Sequence, residues 1–185
     1  MDAKQAIERL KQGNARFVEG KPSAKNLTEQ RKSLTSGQKP FAIVLTCSDS
    51  RVCPEHIFDA GLGEIFVVRT AGNIADAVAL GSMEYAAEHL GCQALLVMGH
   101  TSCGAVNAAC ASDSAPGNID TVVKELQGAV ARGGKDQAKT VEQNVQSVMQ
   151  SIRARSHILS HLEKEGKLSI SGAVYSLASG EVRQL

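Results

Sequence analysis

The chain has 185 residues, 20 Lys and Arg against 19 Asp and Glu, a formal net charge of +1, and 3% aromatic residues with no Trp. That length supports one sizeable core, and the near-neutral balance argues against a basic surface for nucleic acid or membrane. No run of about 18 apolar residues offers a membrane span, so no membrane or nucleic-acid partner is expected.

The N-terminus, MDAKQAIERLKQGNARF, is charged and helix-patterned and lacks the apolar stretch of a signal peptide, so a cytoplasmic location is expected. A helix is predicted over residues 2–18, with a stripe of Ala6, Leu10, Ala15 and Phe17. A turn-rich linker follows at 19–25, then a short helix from Asn26 to Leu34. Four short apolar runs then read as strands buried on both faces: Phe41–Thr46, Glu64–Arg69, Ala94–Gly99 and Leu168–Leu177. Between them, helices are predicted over Ala75–Leu90, Val106–Ala111, Ile119–Val130 and, as one long helix, Gln137 to about Lys164. The expected fold is α/β: a mostly parallel central sheet of four strands with room for an extra edge strand, flanked by helices. One domain spanning 1–185 is expected, with a helical arm over 1–36 and the α/β core over 40–185.

In parallel sheets, functional groups collect beyond the carboxyl ends of strands. The first strand runs straight into Cys47-Ser48-Asp49-Ser50-Arg51, and the third into His100-Thr101-Ser102-Cys103-Gly104. If those strands are neighbours, Cys47, His100 and Cys103 converge. Two thiolates and an imidazole suit zinc and leave one tetrahedral position open, as a catalytic site requires. Cys53, Cys92 and Cys110 have no ligand partner at useful spacing and read as ordinary thiols. An odd cysteine count argues against a disulfide framework.

Two stretches, QKPFAIVLTCSDSRVCPEHIFDAGLGEIFVVRTAGNI and GSMEYAAEHLGCQALLVMGHTSCGAV, resemble the β-class carbonic anhydrases. The resemblance rests on the pair CSDSR and HxxCG. It is clear over about residues 30–110 and weaker elsewhere, including VYSLASGEV near the end. It implies one Zn2+ per subunit on Cys47, His100 and Cys103, and reversible hydration of CO2 to bicarbonate and a proton. It also implies self-association as a homodimer or tetramer, with active sites near the subunit interface. Asp49 and Arg51 match the family's carboxylate–guanidinium dyad. Gln38 stands where part of the family has a substrate-side glutamine. Phe66 and Tyr85 match aromatic residues lining the cleft from across the interface, and Gly104 follows the second cysteine ligand as expected. Thr70 departs from the pattern, standing where Asn is common.

Two thiolates neutralise the metal's charge, so the site should acidify water less than three histidines would. An ionised Asp49, held by Arg51, is then useful as a hydrogen-bond acceptor beside the reacting oxygen. Asp49 could instead occupy the fourth zinc position and close the site, as in part of the family; Gln38 resembles the subtype that stays open. His56, His89, His157 and His161 are proton-carrier candidates by residue type alone. Rival readings are another hydrolase acting on carbonyl sulfide or carbon disulfide, and a non-catalytic zinc-binding protein.

Overall fold

The two innermost strands owe their place to unbroken apolar sequence. Every residue of β1 (Ala42–Cys47) and of β3 (Ala94–His100) is buried, which is what a parallel strand covered on both faces demands. The computed structural model describes residues 1–185. Its five-stranded sheet has the order β2-β1-β3-β4-β5, with β2 at Ile65–Thr70, β4 at Ser169–Tyr175 and β5 at Val182–Gln184. β1 pairs in parallel with β2 and β3, and β3 pairs in parallel with β4. β5 runs antiparallel to β4 and supplies the extra edge. The last predicted strand is therefore shorter than expected. After Tyr175 the chain turns, with Gly180 at φ +78°, and returns as β5.

Alternate residues of each strand feed the two faces. Ile43, Leu45, Leu95 and Val97 meet α4 (Ala77–Glu88), α7 (Gln137–Arg155) and α8 (His157–Lys164) on one side. Ala42, Val44, Leu96 and Met98 meet α1 (Ala3–Val18) and α3 (Pro54–Ile57) on the other. The remaining helices are α2 (Leu27–Ser33), α5 (Gly104–Ala111) and α6 (Ile119–Gly133).

Three details depart from the sequence expectation. The buried stripe of α1 is Ala6, Leu10, Gly13 and Asn14, with Ala15 exposed. A side chain at position 13 would put its Cβ 1.9 Å from the Phe58 carbonyl oxygen, so only glycine lets the helix settle there. The four-residue α3 carries too little periodicity to be read from sequence. The predicted helix over 137–164 is two helices, because Ser156 leaves helical geometry at φ −111° and ψ 106°. Its hydroxyl accepts from the Leu159 amide and donates to Glu84, local bonding that serine prefers at a cap.

The arm is tied down by a buried carboxylate. Asp59, whose side chain is 1% exposed, accepts from Arg16 Nε at 2.6 Å, from Ser23 N and Oγ at 3.0 and 2.7 Å, and from Lys25. Burial pushes the carboxyl up, but Lys25, Arg16 and Ser23 together outweigh it and hold it below the usual carboxylate range. Asp59→Asn is expected to cost about 3 kcal/mol at neutral pH, since two cations lose their partner. A group with a depressed folded pKa stabilises above its unfolded value, about 3.9, and loses that contribution as pH falls. The gap between wild type and variant in urea unfolding should accordingly shrink below about pH 4; a gap unchanged by acidification would count against the ion-pair account.

Candidate metal centre

The adjacent parallel strands β1 and β3 end together: Thr46 pairs with Met98, which leaves Cys47 and His100 at the same sheet edge. Beyond His100, Ser102 takes a left-handed backbone conformation at φ +55° and turns the chain back, placing Cys103 at the N-cap of α5. The three ligand atoms lie within 4.8 Å of one another, and the residues are 5%, 0% and 2% exposed. The sulfurs are 3.9 Å apart, and both thiols are free.

This donor set fits a metal. Two thiolates on a tetrahedral zinc, each at about 2.3 Å, stand about 3.8 Å apart. The His100 ring has Nδ1 3.0 Å from the Thr101 carbonyl oxygen, so Nδ1–H donates there and Nε2 carries the lone pair. Nε2 is buried without a hydrogen-bond partner, an arrangement that a bound cation would relieve. The Cys47 thiol is pulled well below the usual thiol range, chiefly by the hydrogen bond from Cys103, with His100 and the Gly72 amide assisting against burial. Cys103 is pushed up by the same contact and by burial, although the Val106 and Ala105 amides at the start of α5 oppose this.

Asp49 lies beside the cluster, with Oδ2 3.9 Å from His100 Nε2. Arg51 grips it in a fork, Nε to Oδ1 at 2.9 Å and one terminal nitrogen to Oδ2 at 2.7 Å, and adds its backbone amide at 3.0 Å. The guanidinium holds the carboxyl well below the usual carboxylate range. Arg51 also donates to the Ser102 carbonyl at 3.3 Å, so the dyad bridges both loops.

A family model described as carbonic anhydrase matches residues 42–182. The chain belongs to the β-class carbonic anhydrases. Carbonic anhydrase 2 of Mycobacterium tuberculosis is 41% identical over 95% of this chain and 89% of its own length. A carbonic anhydrase of Mycolicibacterium smegmatis is 39% identical over 96% and 90%. Among solved structures, the β-carbonic anhydrase of Coccomyxa superposes with a TM-score of 0.75 at 27% identity, covering 85% of this chain and 77% of that one. That of Aspergillus fumigatus gives 0.76 at 26% identity, covering 98% and 89%. The protein is thus a carbonic anhydrase, an enzyme family whose general reaction is CO2 hydration.

Within one chain of this carbonic anhydrase, the predicted site residues fall into two groups. Cys47, His100, Cys103, Asp49 and Arg51 meet, and Gly104 follows as the first residue of α5. Gln38, Phe66 and Tyr85 do not join them. Gln38 precedes β1 and Phe66 sits near the start of β2, paired with Ile43, at the end of the sheet remote from Cys47. Tyr85 is 49% exposed on α4, its ring 5.2 Å from that of His89.

Sequence reasoning missed Arg69. It donates to the Cys47 carbonyl at 3.1 Å and to the Asp49 carbonyl at 2.6 Å, clamping the backbone of the ligand loop. A charged residue closing the apolar run EIFVVR was the available signal. Thr70, the departure noted above, spends its hydroxyl on the Ile74 carbonyl at 2.7 Å. Cys92 is buried and its thiol pushed up to about 12 by burial, consistent with an inert role.

Proposed function

We propose that this carbonic anhydrase hydrates CO2 reversibly to bicarbonate and a proton, with one zinc per subunit held by Cys47, His100 and Cys103. The observation that carries the reading is the convergence of two thiols and a lone-pair nitrogen beside an Arg-held carboxylate. Zinc, when bound, supplies Lewis-acid chemistry, lowering the pKa of a water in the open position towards the value of about 7 known for three-histidine carbonic anhydrases. Asp49 Oδ2, 3.9 Å from His100 Nε2, would accept a hydrogen bond from a water held at the centre and orient it towards CO2. Arg51 keeps Asp49 ionised, so it accepts and does not donate. The intact Asp49–Arg51 fork supports the open form, because an aspartate drawn onto the metal would have to leave the guanidinium.

Gln38, Phe66 and Tyr85 act, in this reading, on a partner subunit's centre. β2 is an edge strand with one unpaired side, and Val78 and Tyr85 on the neighbouring α4 are exposed, which supports self-association there. We further assign the whole of 1–185 to one functional domain and place the protein in the cytosol. Five free cysteines, two of them 3.9 Å apart, support a reducing compartment. No helix is long and apolar enough to cross a membrane.

The test is metal analysis coupled to stopped-flow CO2 hydration. One zinc per chain, activity lost to a chelator and regained with zinc, supports the reading; full turnover in metal-free protein overturns it. Among the histidine proton-carrier candidates, His89 is taken first because its ring lies 5.2 Å from that of Tyr85, which this reading assigns to the partner's cleft. His89→Ala is expected to lower kcat several-fold in dilute buffer, with recovery on adding imidazole. Equal rates in dilute and concentrated buffer for wild type and variant would remove it from that role.

A further inference from the structure

We propose that Asn144, on the sheet-facing side of α7, is a positioning residue of the metal centre: it sets the Gly72 amide that donates to the Cys47 sulfur. The inference rests on the zinc reading above. Gly72 lies in the tight turn Ala71–Asn73 after β2, and its N–H reaches Cys47 Sγ at 3.4 Å. The residue is left-handed, at φ +68° and ψ 22°, and a Cβ there would stand 3.2 Å from Leu126 and 3.3 Å from Ala105. Glycine is the residue that fits, and glycine has no side chain to hold its own soft dihedrals. The hold comes from across the fold. Asn144 Nδ2 donates to the Gly72 carbonyl oxygen at 2.8 Å, a buried bond spanning 72 positions of sequence.

A hydrogen bond to a ligating thiolate draws charge from the sulfur and aims its remaining lone pairs, so the residue that sets the donor also tunes the metal. Placing an amide at 144 is otherwise costly. Its neighbours along the helix stripe, Val141, Val145 and Val148, are apolar and buried, and Asn144 itself is 3% exposed. The same stretch of α7 sets the strand ahead of the histidine ligand, since a Cβ at Gly99 would meet Val141 and Val145 at 2.9 Å each.

The test uses cobalt-substituted protein and zinc competition with a chelator on wild type, Asn144→Leu and Val148→Ala. Asn144→Leu is expected to shift the sulfur-to-cobalt charge-transfer band and to raise the zinc dissociation constant at least about 10-fold. Val148→Ala, a packing loss on the same helix, should lower the Tm without moving the band. Asn144→Leu with the wild-type band and affinity overturns the inference. If that variant does not fold, NMR of isotope-labelled wild type loaded with NMR-active cadmium decides. Couplings from the metal to the Gly72 amide proton, and from Asn144 Nδ2 across its bond to the Gly72 carbonyl carbon, are expected; absence of either overturns it. Wild type that takes up no stoichiometric metal defeats the zinc reading and this inference together, whereas metal-loaded protein indifferent to position 144 defeats this inference alone.

Discussion

Exchanging Cys47 for serine is expected to empty the metal centre and abolish CO2 hydration. A serine hydroxyl is not ionised near neutral pH and does not replace a thiolate, which leaves His100 and Cys103 as a two-ligand site. Losing an outer partner of a ligand costs about 10–100-fold in metal affinity, and losing the ligand should exceed that. His100→Ala should do the same, and it removes the one buried nitrogen left without a hydrogen-bond partner inside the cluster. The fold should survive, because the core on both sheet faces is built from apolar contacts that do not involve the metal. Zinc content after dialysis, read beside stopped-flow rates and circular dichroism, checks this. Cys47→Ser protein with one zinc per chain and wild-type turnover would refute the ligand set.

Asp49→Asn is expected to keep its zinc and lose about 100-fold in kcat, the scale of a positioned proton-accepting group. The amide has nearly the same shape, but it is neutral and presents donors where the carboxylate only accepts. Because Arg51 holds the Asp49 carboxyl below the usual range, Asp49 is already ionised across the working pH range and cannot supply the rising limb of the rate profile. In the proposed reading the rise would come from a water that the bound metal acidifies. In the variant the plateau should fall while the limb persists, with its midpoint moved to lower pH because a negative charge beside the water is gone. A rate profile indistinguishable from wild type would remove Asp49 from the reaction, and a profile that lost its limb altogether would make Asp49 the titrating group.

Much of this was legible before any coordinates. Continuous runs such as AIVLTC and ALLVMGH announce strands buried on both faces, and the parallel order puts their last residues at one edge. Cys47, His100 and Cys103 could thus be brought together on paper. The Ser102 reversal that completes the cluster depends on a left-handed backbone no composition rule reveals. The break at Ser156 was hidden because Arg153, Arg155 and His157 continue a helical pattern around it, and the hydrogen bond that its capping hydroxyl donates to Glu84 comes from 72 positions away. Arg69 and Asn144 were illegible for a common reason: each acts through a backbone carbonyl far along the chain, and such bonds leave no period or spacing behind. Gln38, Phe66 and Tyr85 rest on family likeness alone, since within one subunit their surroundings contain no chemistry to mark them.

The amide of Asn14 joins segments that lie at opposite ends of the polypeptide. It donates to the carbonyls of Ile57 and Gly180, and its oxygen accepts from the Val182 amide. This clasp spans 168 positions, so it closes only after nearly every intervening loop has paid its closure entropy. α1 is therefore seated twice over: its Ala6–Leu10 stripe rests on the sheet and α3, and the Asn14 clasp binds it to the turn that leads into β5.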